Sequence, residues 1–205
     1  MNSNDFYFYF GAVLLVLIII LGSYVYFNYD FSTYKHVVER NGVSFVSNTD
    51  EPSVVLDRLR ASNNILLAVD FVPLGSQNQY STDAVTLFTT IFVAKGHKVT
   101  LLARVLDEKG SVVSCSSNFG DPKRNDVIDL VECSKMFSDS TMPLLYVSLP
   151  NANNSKSLVM LSGSRVEVFP NSFESFSSVC FVVAEAIYSD AAQLIGTVNF
   201  LVDRL

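Results

Sequence analysis

Acidic side chains at the ends of predicted strands are the residues of this chain best placed for chemistry. Asp50 and Glu51 follow the short β-pattern 43–46, and Asp70 follows the apolar run 65–69. Ligands of open α/β sheets bind beyond the carboxyl ends of parallel strands. If these strands are parallel, the three carboxylates approach one another, as a Mg²⁺ site with several bound waters requires. The alternative is that Asp50 is a helix N-cap, Glu51 lies at a helix start and Asp70 ends a strand. We favour this alternative and assign no catalytic, cofactor-binding or metal-binding residue.

The cysteines are the second candidate for covalent chemistry. Cys115 ends a β-pattern, and Cys133 lies in a short helical pattern beyond the polar loop 118–126. A disulfide closing this loop stabilises a fold by about 3 kcal/mol and persists only in oxidising compartments. The alternative is a pair of reduced core thiols. Cys180 lies within the apolar run 179–183, which predicts a buried thiol.

Other chemical patterns are absent from the sequence. His36 and His97 are isolated, and no C-x-x-C or H-x-x-x-H spacing brings metal ligands together. There is no G-x-S-x-G, G-x-G-x-x-G, P-loop or H-E-x-x-H pattern. The formal net charge of −6, without a long basic cluster, disfavours nucleic acid as a partner. Asn153 begins an N-x-S glycosylation sequon, which matters only if the domain is exported.

A charge-free run over residues 6–27 predicts a transmembrane helix. At roughly 1.5 Å per residue such a helix is about 33 Å long, enough to cross a hydrocarbon core of roughly 30 Å. Phenylalanine and tyrosine cluster at both ends, as at membrane interfaces. Residues 1–5 carry no Lys or Arg and the run is long, so an uncleaved anchor fits better than a signal peptide. We assign residues 1–34 to the tail, anchor and juxtamembrane aromatic belt, and 35–205 to one globular domain.

Two features of the sequence give opposite predictions for the side of the membrane on which the globular domain lies. Lys35 and Arg40 follow the anchor and favour a cytoplasmic domain, but Asp30 and Glu39 lie beside them. The disulfide expected from the cysteines favours export. We therefore predict a single-pass membrane protein whose domain is extracytoplasmic.

Alternating strand and helix patterns must position these residues, and they predict a mixed α/β sheet with flanking helices. Asp50 is the expected N-cap of a helix ending near Ala61, and Ser81 the expected cap of a helix ended by Gly96. Strands are predicted at 43–46, 64–71, 98–106, 111–116, 144–149 and 158–169, with further helices near 126–137, 173–187 and 190–205.

No pattern in the sequence predicts an activity. The well-patterned domain without a catalytic constellation favours a non-enzymatic binding or assembly module, tethered beside a protein partner in or on the membrane. One alternative is a membrane-anchored metal-dependent hydrolase that uses Asp50, Glu51 and Asp70. Another is a pilin-like subunit, although no basic-Gly processing site precedes the apolar run.

Overall fold

The computed structural model of the chain describes residues 34–73, 77–121, 123–139, 141–150 and 155–190. The predicted anchor at 6–27, Asn153 and nearly all of the predicted helix at 190–205 lie outside these ranges. The strands are β1 (His36–Arg40), β2 (Val43–Ser47), β3 (Asn64–Phe71), β4 (Lys98–Leu106), β5 (Val112–Ser117), β6 (Asp126–Ile128), β7 (Leu144–Val147), β8 (Ser157–Ser162) and β9 (Arg165–Phe169). The helices are α1 (Pro52–Ala61), α2 (Asn78–Ala94), α3 (Leu130–Asp139) and α4 (Phe173–Ile187). Within the described ranges, no helix combines the length and apolar character needed to span a membrane.

The strands form one sheet in the order β1-β2-β8-β9-β7-β3-β4-β5-β6. The four central strands β9, β7, β3 and β4 are parallel, while β5 and β6 continue the sheet antiparallel beyond β4. On the other side β8 is antiparallel to β9, and β2 is parallel to β8. Thus β2 runs opposite to β3. This mixed sheet confirms the predicted α/β class.

Alternation along β3 gives the sheet two apolar faces. Ile65, Leu67 and Val69 contribute to the larger core, which also takes buried residues from α1, α2 and α4. Leu66 and Ala68 contribute to a smaller core on the other face, together with Cys133 of α3. Both faces of β3 are covered, and its residues 65–69 accordingly form an uninterrupted apolar run, as expected for a parallel strand in the middle of a sheet.

Polar contacts fix the crossover from β3 to α2. Asn78 Oδ1 accepts a hydrogen bond from the Val72 amide at 3.0 Å, and Ser81 Oγ donates to the Asp70 carbonyl at 2.7 Å. The helix therefore begins at Asn78, three residues before the predicted cap Ser81. Its C-terminal end agrees with prediction, since it stops at Ala94 and Gly96 has a φ of +86°.

Several other boundaries differ from the prediction. The N-cap of α1 is Glu51 rather than Asp50, and its side chain makes no capping hydrogen bond. The run 158–169 divides at Gly163 into the antiparallel strands β8 and β9. The segment near 126–137 begins with the short strand β6 before α3. The strand β1 was not predicted; it joins β2 through a two-residue turn in which Asn41 and Gly42 both have positive φ.

Candidate functional site

The acidic residues singled out by the sequence lie at opposite edges of the sheet. Asp70 is near the carboxyl end of β3, whereas Asp50 and Glu51 follow β2, which runs in the opposite direction. The condition for their convergence, parallel β2 and β3, is therefore not met. Asp50 is instead 2.5 Å from Nη1 of Arg58 in an exposed ion pair. Among the described residues, no three Asp, Glu, His or Cys side chains form a group suited to a metal ion.

Asp70 is the buried member of this set, and Arg104 neutralises it. Arg104 is the register partner of Asp70 on β4. Its Nε donates to Asp70 Oδ1 at 2.8 Å and its Nη2 to Oδ2 at 3.2 Å. Tyr146 of β7 donates its hydroxyl to Oδ2 at 2.5 Å. The Asp70 side chain is 1% exposed, so these donors replace water around the carboxylate.

Aromatic rings hold the guanidinium of Arg104 in place. The guanidinium lies over the Phe137 ring, with 4.1 Å between its carbon and the ring centroid, and 4.8 Å from the centroid of Tyr146. Burial, followed by the nearby charge of Asp70 and the hydrogen bond to it, raises the pKa of Tyr146 well above its ordinary value. The phenol therefore remains a hydrogen-bond donor at neutral pH. The cluster has the properties of a buried structural ion pair, because both carboxylate oxygens already accept hydrogen bonds.

The cysteine pair ties α3 to the sheet. A disulfide joins Cys115 of β5 to Cys133 of α3, with the two Cα atoms 6.2 Å apart, which confirms the predicted bridge. Both cysteines are buried in the smaller core. Cys180, also buried as predicted, has no disulfide partner. Burial raises the pKa of its thiol to about 12.

The first turn of α3 carries exposed aliphatic side chains. Asp129 caps this helix, since its Oδ1 accepts from the Glu132 amide at 2.8 Å and its carbonyl accepts from the Cys133 amide at 2.9 Å. Leu130 and Val131 follow the cap and are 48% and 80% exposed. Exposed aliphatic residues that cluster beside a concave surface are typical of binding sites.

A groove of about 830 Å³ lies beside this turn. Its apolar lining comes from β3, α3 and the segment before β7, and its polar lining carries two acidic side chains and one basic side chain. The lining residues are Leu66, Asp129, Leu130, Val131, Glu132, Lys135, Met136, Thr141 and Met142. An apolar groove with a few polar groups at its margin is the usual form of a ligand or peptide site. We take the groove and the first turn of α3 together as the candidate site, and call it the α3 surface.

Sequence reasoning did not identify the α3 surface or the partners of Asp70. Leu130 and Val131 fall within the helix predicted near 126–137, and nothing in that pattern shows which of its residues are left uncovered. Arg104 and Tyr146 are separated from Asp70 by whole elements of the chain. Only the register of β3 with β4 and β7 brings them together.

No family model, curated protein or solved structure matches this chain.

Proposed function

We propose that this chain is a single-pass, membrane-anchored binding module that holds a protein partner beside the membrane. The observation that carries the proposal is the α3 surface, where Val131 is 80% exposed at the margin of a groove of about 830 Å³. The charge-free run 6–27 supports the anchor. The hydrolase alternative has less support, because Asp70 is paired with Arg104 and lies away from Asp50 and Glu51.

The contacts that fix α3 in place favour a binding role for its exposed aliphatic residues. The helix is joined to β5 by the disulfide, and the guanidinium of Arg165 donates to the Phe137 carbonyl at 2.9 Å near its other end. A surface that is already ordered loses little conformational entropy when a partner binds. The aliphatic residues on its first turn are therefore presented in a fixed arrangement.

The chemistry of the surface specifies the kind of partner. Leu130, Val131, Met136 and Met142 offer an apolar lining, and methionine side chains adapt to irregular apolar surfaces. Two acidic side chains at its margin, including the exposed Glu132, outnumber one basic side chain, Lys135. The partner we propose is a protein segment that inserts an aliphatic side chain and carries a Lys or Arg next to it.

Photo-crosslinking from the α3 surface tests this proposal. A benzophenone amino acid at position 131 should crosslink one protein in native membranes, through a segment with an aliphatic and a basic residue. The same amino acid at Val93 is the matched control, because this valine is 58% exposed on α2, which packs on the other face of the sheet. Equal crosslinking from both positions, or none from position 131, would contradict the proposal.

The proposed extracytoplasmic location needs a separate measurement. The three native cysteines are buried, so they do not report the side of the membrane in the folded protein. Ser177 is exposed on α4 and offers a labelling position. A membrane-impermeant maleimide should label Ser177→Cys in intact cells. Labelling only after lysis would show a cytoplasmic domain.

A further inference from the structure

The strand β1 ends the sheet with an open edge. Among the described residues, no strand pairs with its outer side. Two apolar side chains of this edge strand are exposed, Val37 at 41% and Val38 at 50%. An open edge with exposed apolar side chains tends to pair with another strand. At the other end of the sheet β6 has three residues, a length that protects an edge against such pairing.

The turn after β1 determines which backbone groups face outward. Arg40 and Val43 flank the two-residue turn, so they form a hydrogen-bonded pair. Hydrogen-bonded and non-hydrogen-bonded pairs alternate along an antiparallel ladder. Arg40, Val38 and His36 therefore bond to β2. Val37 and Glu39 direct their N–H and C=O groups toward the open side.

We propose that β1 is a dimerisation strand that pairs antiparallel with β1 of a second copy, with Val37 opposite Val37. A two-fold axis perpendicular to the sheet keeps each side chain on its own face. The pairing must therefore be centred on the same residue of both copies. The outward groups of Val37 then form a reciprocal hydrogen-bonded pair at the centre. The two sheets continue into one another across the axis.

Charge distinguishes this register from its neighbour. With Val37 at the centre, Lys35, the residue directly before β1, lies opposite Glu39 of the second copy on both sides of the axis. Glu39 also lies 3.1 Å from Lys156 of its own chain, so the two lysines would share its carboxylate. With Val38 at the centre, His36 lies opposite Arg40 and Val37 opposite Glu39. Opposite charges placed directly across a ladder stabilise it, and of these two registers only the Val37-centred one provides such a pair. The Val37-centred register is therefore preferred.

This pairing does not depend on the α3 surface, which is lined by β3, α3 and the segment before β7 and includes no residue of β1. The proposed anchor would strengthen the pairing, since two chains held in one membrane have a high effective concentration. An experiment that contradicts β1 pairing would therefore leave the proposed partner site untouched, and the reverse also holds.

Cysteine crosslinking tests the pairing and its register. In the full-length chain, Val37→Cys residues would have Cα atoms about 5.5 Å apart across the axis, within the range of a disulfide. Val38→Cys residues would lie about 8 Å apart, beyond that range. Under mild oxidation with copper phenanthroline, Val37→Cys should give a disulfide-linked dimer that dithiothreitol reverses, whereas Val38→Cys and the unmodified chain should give no covalent dimer.

Three outcomes would overturn the proposal. These are no dimer from Val37→Cys, equal dimer from both variants, and dimer from Val38→Cys alone. A charge reversal adds an independent test. Lys35→Glu should lower crosslinking of Val37→Cys several-fold, because Glu39 of the second copy would then face a like charge; unchanged crosslinking would contradict the register.

Discussion

Replacement of Arg104 by methionine should destabilise the domain strongly. Methionine keeps an apolar stem against Phe137 but removes both hydrogen bonds to Asp70, at 2.8 and 3.2 Å. The carboxylate, 1% exposed, would retain only the hydroxyl of Tyr146 among its present side-chain donors. Removing one partner of a buried pair costs about 3–5 kcal/mol, because the remaining charge is neither solvated nor paired.

Thermal and urea unfolding followed by far-ultraviolet circular dichroism would measure this loss. At about 2–4 °C per kcal/mol for a domain of this size, the midpoint should fall by roughly 10 °C. Arg60→Met is the matched control, because Arg60 pairs with Asp57 at an exposed site on α1. That variant should lose less than about 1 kcal/mol.

A second substitution separates loss of the charge pair from loss of packing. Asp70→Asn in the Arg104→Met background removes the stranded charge and should recover most of the lost stability. The interpretation of Asp70 as a structural residue is refuted if Arg104→Met is no less stable than Arg60→Met. It is also refuted if Asp70→Asn gives no recovery, since the loss would then come from packing alone.

Three further predictions follow from the buried groups. Burial raises the pKa of Tyr146, so its neutral phenol contributes stability fully below about pH 10, and this contribution is lost as the pH rises toward the folded-state pKa. Urea titrations should therefore show a lower free energy of unfolding near pH 11 than near pH 9. The same pH change should lower the stability of Tyr146→Phe by a smaller amount. The double substitution of Cys115→Ser and Cys133→Ser removes the covalent link between residues 18 positions apart. It should lower the free energy of unfolding by about 3 kcal/mol, measured against the intact chain without reductant. Cys180, with a pKa of about 12, should react with iodoacetamide only after unfolding, and mass spectrometry of the native protein should show no adduct.

Local pattern was sufficient for the elements around β3. The apolar run at 64–71, the helical face with Phe88 and Phe92, and Gly96 at the helix end all follow from rules that act within one segment. The disulfide was also accessible, since its two cysteines flank a polar loop. The Asn41-Gly42 pair is a strong hairpin signal that would have revealed β1.

The order and direction of the strands depend on contacts between distant segments. Nothing local shows that β2 pairs with β8, more than a hundred residues later, and so runs opposite to β3. That single pairing separates Asp50 from Asp70. The α3 surface could not be predicted for a related reason. A helical pattern identifies the apolar side of a helix but does not show which of its residues the sheet leaves uncovered.

The most direct test of the proposed binding function is the recovery of a stoichiometric complex from native membranes. Val131→Asp puts a charge on the α3 surface at a position 80% exposed, so it should leave folding intact. Val93→Asp makes the same change on α2. We predict that the unmodified chain and Val93→Asp are recovered with one partner in a fixed ratio, and that Val131→Asp is recovered without it. Retention of the partner by Val131→Asp, or recovery of the unmodified chain as a free monomer, would contradict the account.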